Sequence, residues 1–317
     1  MPKKNPLKKQ PSAFDFMSRF PDEKSARDYL ASGRWPNGIT CIHCGHNEVW
    51  TVRGGEFYTC KACRKQFTVR TGTVMQDSKI PLRKWVFAMY LMTVSRKGIS
   101  SIQLSKEIGI TQKSAWHMAH RIRESCKSQG MLTGTVEADE SYIGGKEKNK
   151  HASKRMHAGR GGVGKSIVFG MKSRTGEVRA SVLSGVGSKD LHAAVKDAVA
   201  HGATLYTDDF RGYRGLKDYN HASVNHSNGE YVRGDAHTNG IESFWAVLKR
   251  SHYGIHHYWS KKHLHRYVNH FVFNANTKDL PAFDVTGNDC GITTVRSFMA
   301  GMNNRRLQYK ELIANAS

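Results

Sequence analysis

Two groups of side chains in this sequence have the types and spacings to do chemistry. Cys41 and Cys44 form one C-x-x-C pair and Cys60 and Cys63 another, with fifteen residues between the pairs. Two such knuckles on adjacent hairpins set four thiolates tetrahedrally around one Zn2+ at about 2.3 Å, and the metal then substitutes for a core too small to fold alone. Four sulfur ligands leave no open position, so this zinc is expected to be structural. The second group is acidic: Asp139, Asp208 and Glu242. Three anions brought close together repel strongly unless cations neutralise them. Hard oxygen ligands in an open site suit Mg2+ or Mn2+. Two such ions about 3.5–4 Å apart activate an oxygen nucleophile on one side of a phosphorus and stabilise the leaving oxygen on the other. Lys249 lies seven residues after Glu242, at nearly the same helical angle. It is expected to hold a phosphate backbone rather than take a proton.

These acids need elements to carry them. His237–Arg250, HTNGIESFWAVLKR, reads as a turn followed by a helix whose apolar face is Ile241, Phe244, Trp245, Val247 and Leu248. Thr135–Gly145 alternates as a strand with Asp139 at its middle, and Thr204–Asp208 is a strand ending in acid. Between them come strands at Ser166–Met171 and Val178–Ser184 and an amphipathic helix at Asp190–Ala200, and afterwards a short strand at Ala222–His226. The order implies an α/β layer arrangement with one mixed sheet. We expect the first and fourth strands side by side at its centre, with the Glu242 helix packed over their edge. Strand alternation turns Glu140 to the face opposite Asp139, where it reads as a surface residue. Glu137 shares the face of Asp139 and is a candidate support for it. His237, just before the helix, is a candidate for orienting a water or for capping.

Upstream the pattern is helical around the cysteine module. Residues 12–36 carry a short helical repeat. The module itself is expected to show Arg53, Lys61, Arg64, Lys65 and Arg70 on its surface. Residues 81–127 are again helical. Ser100–Ile108 closes at Gly109, and Thr111 caps a helix over Gln112–Ser125, a helix-turn-helix pattern. Gln112, Lys113 and Ser114 would meet base edges, with Arg121 further along the same helix, while Trp116 and Ile122 read as core. The tail has helical stretches at His263–Asn276 and Ser297–Ile313.

Charge sets the partner. Lys plus Arg number 49 against 26 Asp plus Glu, a net +23, spread along the chain, which calls for a polyanion such as double-stranded DNA. The basic stretch Lys146–Lys165 suits a loop laid on phosphates, and Lys165 and Arg250 are candidate contacts. Gly159–Ser166, GRGGVGKS, matches a nucleotide phosphate loop in letters alone. A β-rich segment follows it where that motif needs a helix, so nucleotide binding is not expected. The longest apolar run, Trp85–Val94, has half the ~20 residues needed to cross a membrane, and no apolar segment follows the basic N-terminus as a secretory signal would require. A cytoplasmic, nucleoid-associated protein with reduced cysteines is expected.

The succession CIHCG, CKAC, GISSIQLSKEIGITQKSAWHMAHRIRES, VEADESYIGG, LYTDDFRGY, HTNGIESFWAVLKR and SKKHLHRYVNHFVFNAN resembles the bacterial insertion-sequence transposases of the IS1595 (ISXO2-like) family. The resemblance implies a multidomain α+β chain: an N-terminal zinc ribbon, a helix-turn-helix and an RNase H-like α/β catalytic domain with a mixed sheet. The expected divisions are a basic arm and short helix at 1–36, the ribbon at 37–75, the helix-turn-helix at 76–130, the catalytic domain at 131–277 and a helical tail at 278–317. The activity implied is cleavage at the ends of a mobile element and transfer of a 3′-hydroxyl onto target DNA, with two Mg2+ or Mn2+ ions. It carries the catalytic acids onto Asp139, Asp208 and Glu242 and the basic position onto Lys249. Asp208 is preferred to Asp209 because it directly follows Thr207 in the family's T-D-x-F-x-x-Y pattern. Asn239 is an alternative third ligand. The partners implied are terminal inverted repeats and target DNA, held by a homodimer or larger synaptic complex. Two other readings fit part of the pattern: a non-enzymatic DNA-binding regulator, and an RNase H-like nuclease that cuts without rejoining.

Overall fold

The structure, a computed structural model, describes residues 10–126, 130–145, 147–155, 162–224, 237–287 and 291–314. The N-terminal basic arm to residue 9, the middle of the 146–165 loop and Cys290 lie outside the described residues. The chain divides into two compact units, Met1–Lys127 with Thr277–Ser317, and Ser128–Asn276.

The first unit starts with helices α1 (Ala13–Arg19) and α2 (Glu23–Arg34). Each begins with a capping box, Ser12 with Asp15 and Asp22 with Ser25, which satisfies first-turn N–H groups. Strands β1 (Val49–Val52), β2 (Phe57–Cys60) and β3 (Gln66–Phe67) form an antiparallel sheet in that order. Helices α3 (Leu82–Val94), α4 (Ser101–Ile108) and α5 (Gln112–Glu124) follow. The turn between α4 and α5 is the one the sequence implies. Gly109 takes the left-handed conformation (φ 61°, ψ 56°), and Thr111 Oγ1 accepts the Ser114 N–H at 3.2 Å.

The second unit is a sheet between two helical layers. Its elements are β4 (Thr135–Ile143), β5 (Ser166–Ser173), β6 (Val178–Leu183), α6 (Ser188–Ala198), β7 (Thr204–Asp208), β8 (Asn220–Val224), α7 (Asn239–Ser251) and α8 (Leu264–Asn276). The strand order is β6-β5-β4-β7-β8. β4 pairs antiparallel with β5 and parallel with β7, so the first and fourth strands are neighbours at the centre, in the RNase H-like arrangement that the resemblance implied. Period-two alternation sorts β4. Val136 and Ala138 enter a core with α6 residues Leu191 and Val195, whereas Ile143 joins Ile241, Trp245, Leu248 and the α8 residues Val268 and Phe271 on the other face. Burying each large apolar side chain of α7 stabilises its seat on the sheet by about 1.5–3 kcal/mol. β8 starts two residues earlier than the sequence suggested.

The C-terminal segment is not a separate tail. Phe283 packs edge-on against Phe16, Phe20 and Tyr90, and α9 (Thr294–Ala300) lies against α2 and α3. The last helix is α10 (Tyr309–Ile313). An aromatic core shared by both ends of the chain makes them one unit. Among the described residues no helix is long and apolar enough to cross a membrane.

Candidate active site

β4 and β7 are in register only from Thr135–Thr204 to Glu137–Tyr206. The pairing ends there, and the acids stand just outside it, at the carboxyl ends of two parallel strands, the usual ligand crevice in such sheets. Asp139 stands on one lip and Asp208, the last residue of β7, on the other. Carboxylate oxygens of Asp139, Glu140 and Asp208 lie within 4.8 Å of one another. Asp208 rather than the exposed Asp209 belongs to this group.

Glu140 corrects the expectation of a surface residue. Alternation does send it to the face opposite Asp139, but that face is covered at this point by the buried Tyr213, whose hydroxyl lies beside the carboxylate. Glu140 Oε1 is buried with no donor in hydrogen-bonding geometry among the described residues. Burial, with the charges of Asp208 and Asp139 adding to it, raises the Glu140 carboxyl to about 7. Burial likewise raises Asp139 to about 6, and the charges of Asp208 and Glu242 push the same way. Crowded, desolvated anions with an orphaned oxygen form a donor set that fits a hard divalent cation.

Glu242 is not one of the three converged carboxylates. It sits exposed in the first turn of α7 and accepts Thr238 Oγ1 at 2.9 Å, while its charge acts on Asp139. Asn239, exposed, begins the same helix. Lys249 and Arg250 are exposed near its far end, and Arg250 Nε donates to the Ala246 carbonyl at 3.1 Å.

The cysteines make the second centre. Cys41 and Cys63 Sγ are 3.7 Å apart and Cys44 and Cys60 Sγ 3.6 Å apart, with all four sulfurs within 4.8 Å. Tetrahedral zinc–thiolate bonds of 2.3 Å require an edge of about 3.8 Å, so the set fits Zn2+. Backbone N–H groups of Cys63 and Ala62 directed at Cys60 hold its thiol down to about 6, close to the thiolate a metal needs.

Residues 131–276, which hold the acidic crevice, match the family model of the ISXO2-like transposase domain, and residues 21–66 match the transposase zinc-ribbon domain. A protein of Halobacterium salinarum named "Uncharacterized protein in transposable element ISH50" is 33% identical over 249 residues, 73% of this chain and 83% of the relative. The chain belongs to the IS1595 (ISXO2-like) transposase family.

In this family member the zinc ribbon extends upstream of its first cysteine. The match begins before α2, and Trp35 at the end of that helix packs edge-on against Tyr58 and Phe67 of the small sheet. Arg53, Lys61, Arg64 and Lys65 are exposed. Arg70 is not, because its guanidinium turns inward to the carbonyls of Ser78 and Ile80 at 2.7 and 2.8 Å. Among the expected base and phosphate contacts, Gln112 and Lys113 are exposed at the start of α5, and Ser114 is half-buried. Arg121 is a correction: it is 6% exposed, lies over the Trp85 ring and donates to the Gln76 carbonyl. The last turn of α5 is wrapped on all sides, so its basic residues serve the interior. Lys165 is half-buried against Gly144 and leads into β5, a strand, as the rejection of a phosphate loop requires.

Two further residues shape this crevice. Trp245, one of the apolar-face residues of α7, donates Nε1–H to Asp139 Oδ2 at 3.0 Å. Its indole comes close to the sheet because Gly170, the register partner of Asp139, has no side chain: a Cβ there would come within 2.5 Å of Trp245 Cζ2. The available signal was a glycine inside an otherwise apolar strand, which often marks a close approach. Gly170→Ala should lift the indole off Asp139 and destabilise the unit by about 1–3 kcal/mol, read by thermal melting. Trp245→Phe removes the Nε1 donor together with the part of the indole that covers Gly170. It should lower stability by about 1–3 kcal/mol and weaken Mn2+ binding by roughly 10–100-fold.

The raised acids also set a pH dependence. Between their ordinary values and about 6 and 7, the folded state holds more protons on Asp139 and Glu140 than the unfolded chain does. Stability without divalent ions should therefore fall as pH rises through this window. A cation held by Asp139 favours the deprotonated form of Asp139 and of the neighbouring Glu140, so Mn2+ affinity should climb from about pH 5.5 to about 7.5 and level off above roughly pH 8. Calorimetric Mn2+ titrations at a series of pH values test this, and a flat profile would contradict it.

Proposed function

We propose that the chain is a DNA transposase that binds the ends of its insertion sequence and catalyses divalent-metal-dependent strand cleavage and transfer of a 3′-hydroxyl into target DNA. The observation that carries this reading is the meeting of Asp139 and Asp208 in a desolvated crevice within the ISXO2-like transposase match, with Glu242 near enough to act on Asp139. Asp139, Asp208 and Glu242 are the proposed cation ligands, with Asn239 as alternative third ligand. Mg2+ or Mn2+ bound there supplies charge to the phosphate and to the attacking oxygen.

The chain's own residues do the rest. Trp245 fixes one Asp139 oxygen so that the other faces the crevice. Lys249 and Arg250, exposed on the same helix as Glu242, neutralise phosphates flanking the scissile one. Lys165 and the basic loop before it add sequence-independent grip. In the first unit Gln112, Lys113 and Ser114 at the start of α5 read base edges, and the ribbon's exposed Arg53, Lys61, Arg64 and Lys65 contact the backbone. Zinc holds that ribbon in shape and takes no part in the chemistry. Joining two element ends calls for a dimer or larger assembly on DNA.

A strand-transfer assay with pre-cut element ends, a plasmid target and Mg2+ or Mn2+ tests the proposal. Joined products that require Asp139, Asp208 and the metal are expected. Cutting without joining would make the chain a nuclease, and DNA binding with neither cutting nor joining would make it a regulator.

A further inference from the structure

The second unit contains a buried ionic group that the proposed reaction does not use. Glu137 is 2% exposed, one step along the same face of β4 from Asp139. A buried carboxylate persists only when paired and hydrogen-bonded. Glu137 Oε2 accepts the backbone N–H of Ile241 at 3.0 Å, and Oε1 meets Arg174 Nε at 3.0 Å. Arg174 Nη1 in turn reaches His237 Nε2 at 2.6 Å. Arginine can only donate, so Nε2 accepts and the imidazole proton sits on Nδ1, which lies 3.4 Å from Glu137 Oε1.

Ile241 is in the first turn of α7. Thr238, its N-cap residue, makes no side-chain cap and commits its hydroxyl to Glu242. The anion that satisfies the positive end of α7 therefore comes from the neighbouring strand. Gly240 permits it, since a Cβ there would come within 2.6 Å of Glu137 Oε2. Lys172, the register partner of Glu137, donates to the Gly240 carbonyl at 3.1 Å.

We infer that Glu137 is a positioning residue: with Arg174 and His237 it clamps the start of α7 to β4 and so sets where Glu242 stands relative to Asp139. The spacing supports this. The helix is fastened twice to the strand, Ile241 to Glu137 and Trp245 to Asp139. Four helical residues rise about 6 Å and two strand residues about 6.7 Å, so the two fastenings are in step and Glu242 lies between them. Arg174 holds Glu137 as its ion-pair partner, so this carboxylate supports the cation site without joining it.

The inference rests on the proposed cation site and is tested on the full-length chain by Mn2+ binding, followed by electron paramagnetic resonance without DNA, and by thermal melting. Glu137→Gln keeps an oxygen for the Ile241 N–H but loses the ion pair. Gly240→Ala keeps every charge and pushes the helix start off Glu137. Both should raise the Mn2+ dissociation constant by roughly tenfold or more. Lower melting temperatures with Mn2+ affinity unchanged in both variants would overturn the inference and leave Glu137 as a fold anchor. Asp139→Asn separates the two levels. If it binds Mn2+ like the parent chain, the cation site itself is wrong. If it alone loses binding, only the role of Glu137 is.

Discussion

Asp139→Asn is expected to abolish cleavage and strand transfer, with a loss of roughly a thousandfold or more, equivalent to about 4 kcal/mol of transition-state stabilisation. The substitution is nearly isosteric. It keeps an oxygen for Trp245 Nε1, so α7 stays seated. What it removes is the charge at the centre of the crevice, where Asp139 meets both Glu140 and Asp208. With one anion fewer, the negative potential that the fold concentrates there falls, and the site's attraction for a divalent cation drops. Thermal stability without metal should hold or rise, because a desolvated charge has gone. Zinc content and DNA binding should be unchanged, since neither uses this residue. Activity retained within tenfold of the parent chain would show that the acids are not the catalytic centre.

Loss of zinc should have an effect as large, on the other unit. Cys60→Ser removes a buried ligand and should drop bound zinc from one ion per chain to near zero, measured by atomic emission. Structural zinc contributes about 10–16 kcal/mol to folding in small modules. The three short strands of the ribbon have only Trp35, Tyr58 and Phe67 as an aromatic centre, too little to hold them without the metal. The fluorescence of Trp35, buried in the folded ribbon, should shift toward that of solvated indole, and DNA affinity should fall. The ISXO2-like domain has its own core and should still bind Mn2+. A ribbon that kept its native fluorescence after complete zinc removal would contradict this.

Much of the fold was legible because local rules and long-range packing agree. Alternation along Thr135–Gly145, acid at the end of Thr204–Asp208 and an amphipathic helix within His237–Arg250 were enough to place two strands side by side with a helix over them. The cysteine spacing was legible for a simpler reason: the tetrahedral geometry of one ion dictates it. What stayed hidden was decided by neighbours in space. Glu140 sits on the expected face, but only Tyr213, more than seventy residues away, makes that face an interior. The same holds for Arg121, whose helical position looks solvent-facing until Trp85 and the Gln76 carbonyl enclose it. Gly170 and Trp245 form one device split between a strand and a helix, and neither carries a local signal of the other. The partnership of the two chain ends through Phe283 is likewise a contact of high sequence separation, invisible to periodicity.

The most direct measurement is a crystal structure of the full-length chain grown with Mn2+, its ions located by anomalous scattering. Density between Asp139 and Asp208, at about 2.1–2.2 Å from their oxygens, with Glu242 drawn in from its hydrogen bond to Thr238, is the expected result. Mn2+ bound elsewhere on the chain, with the Asp139–Asp208 crevice holding none at saturating concentration, would contradict it.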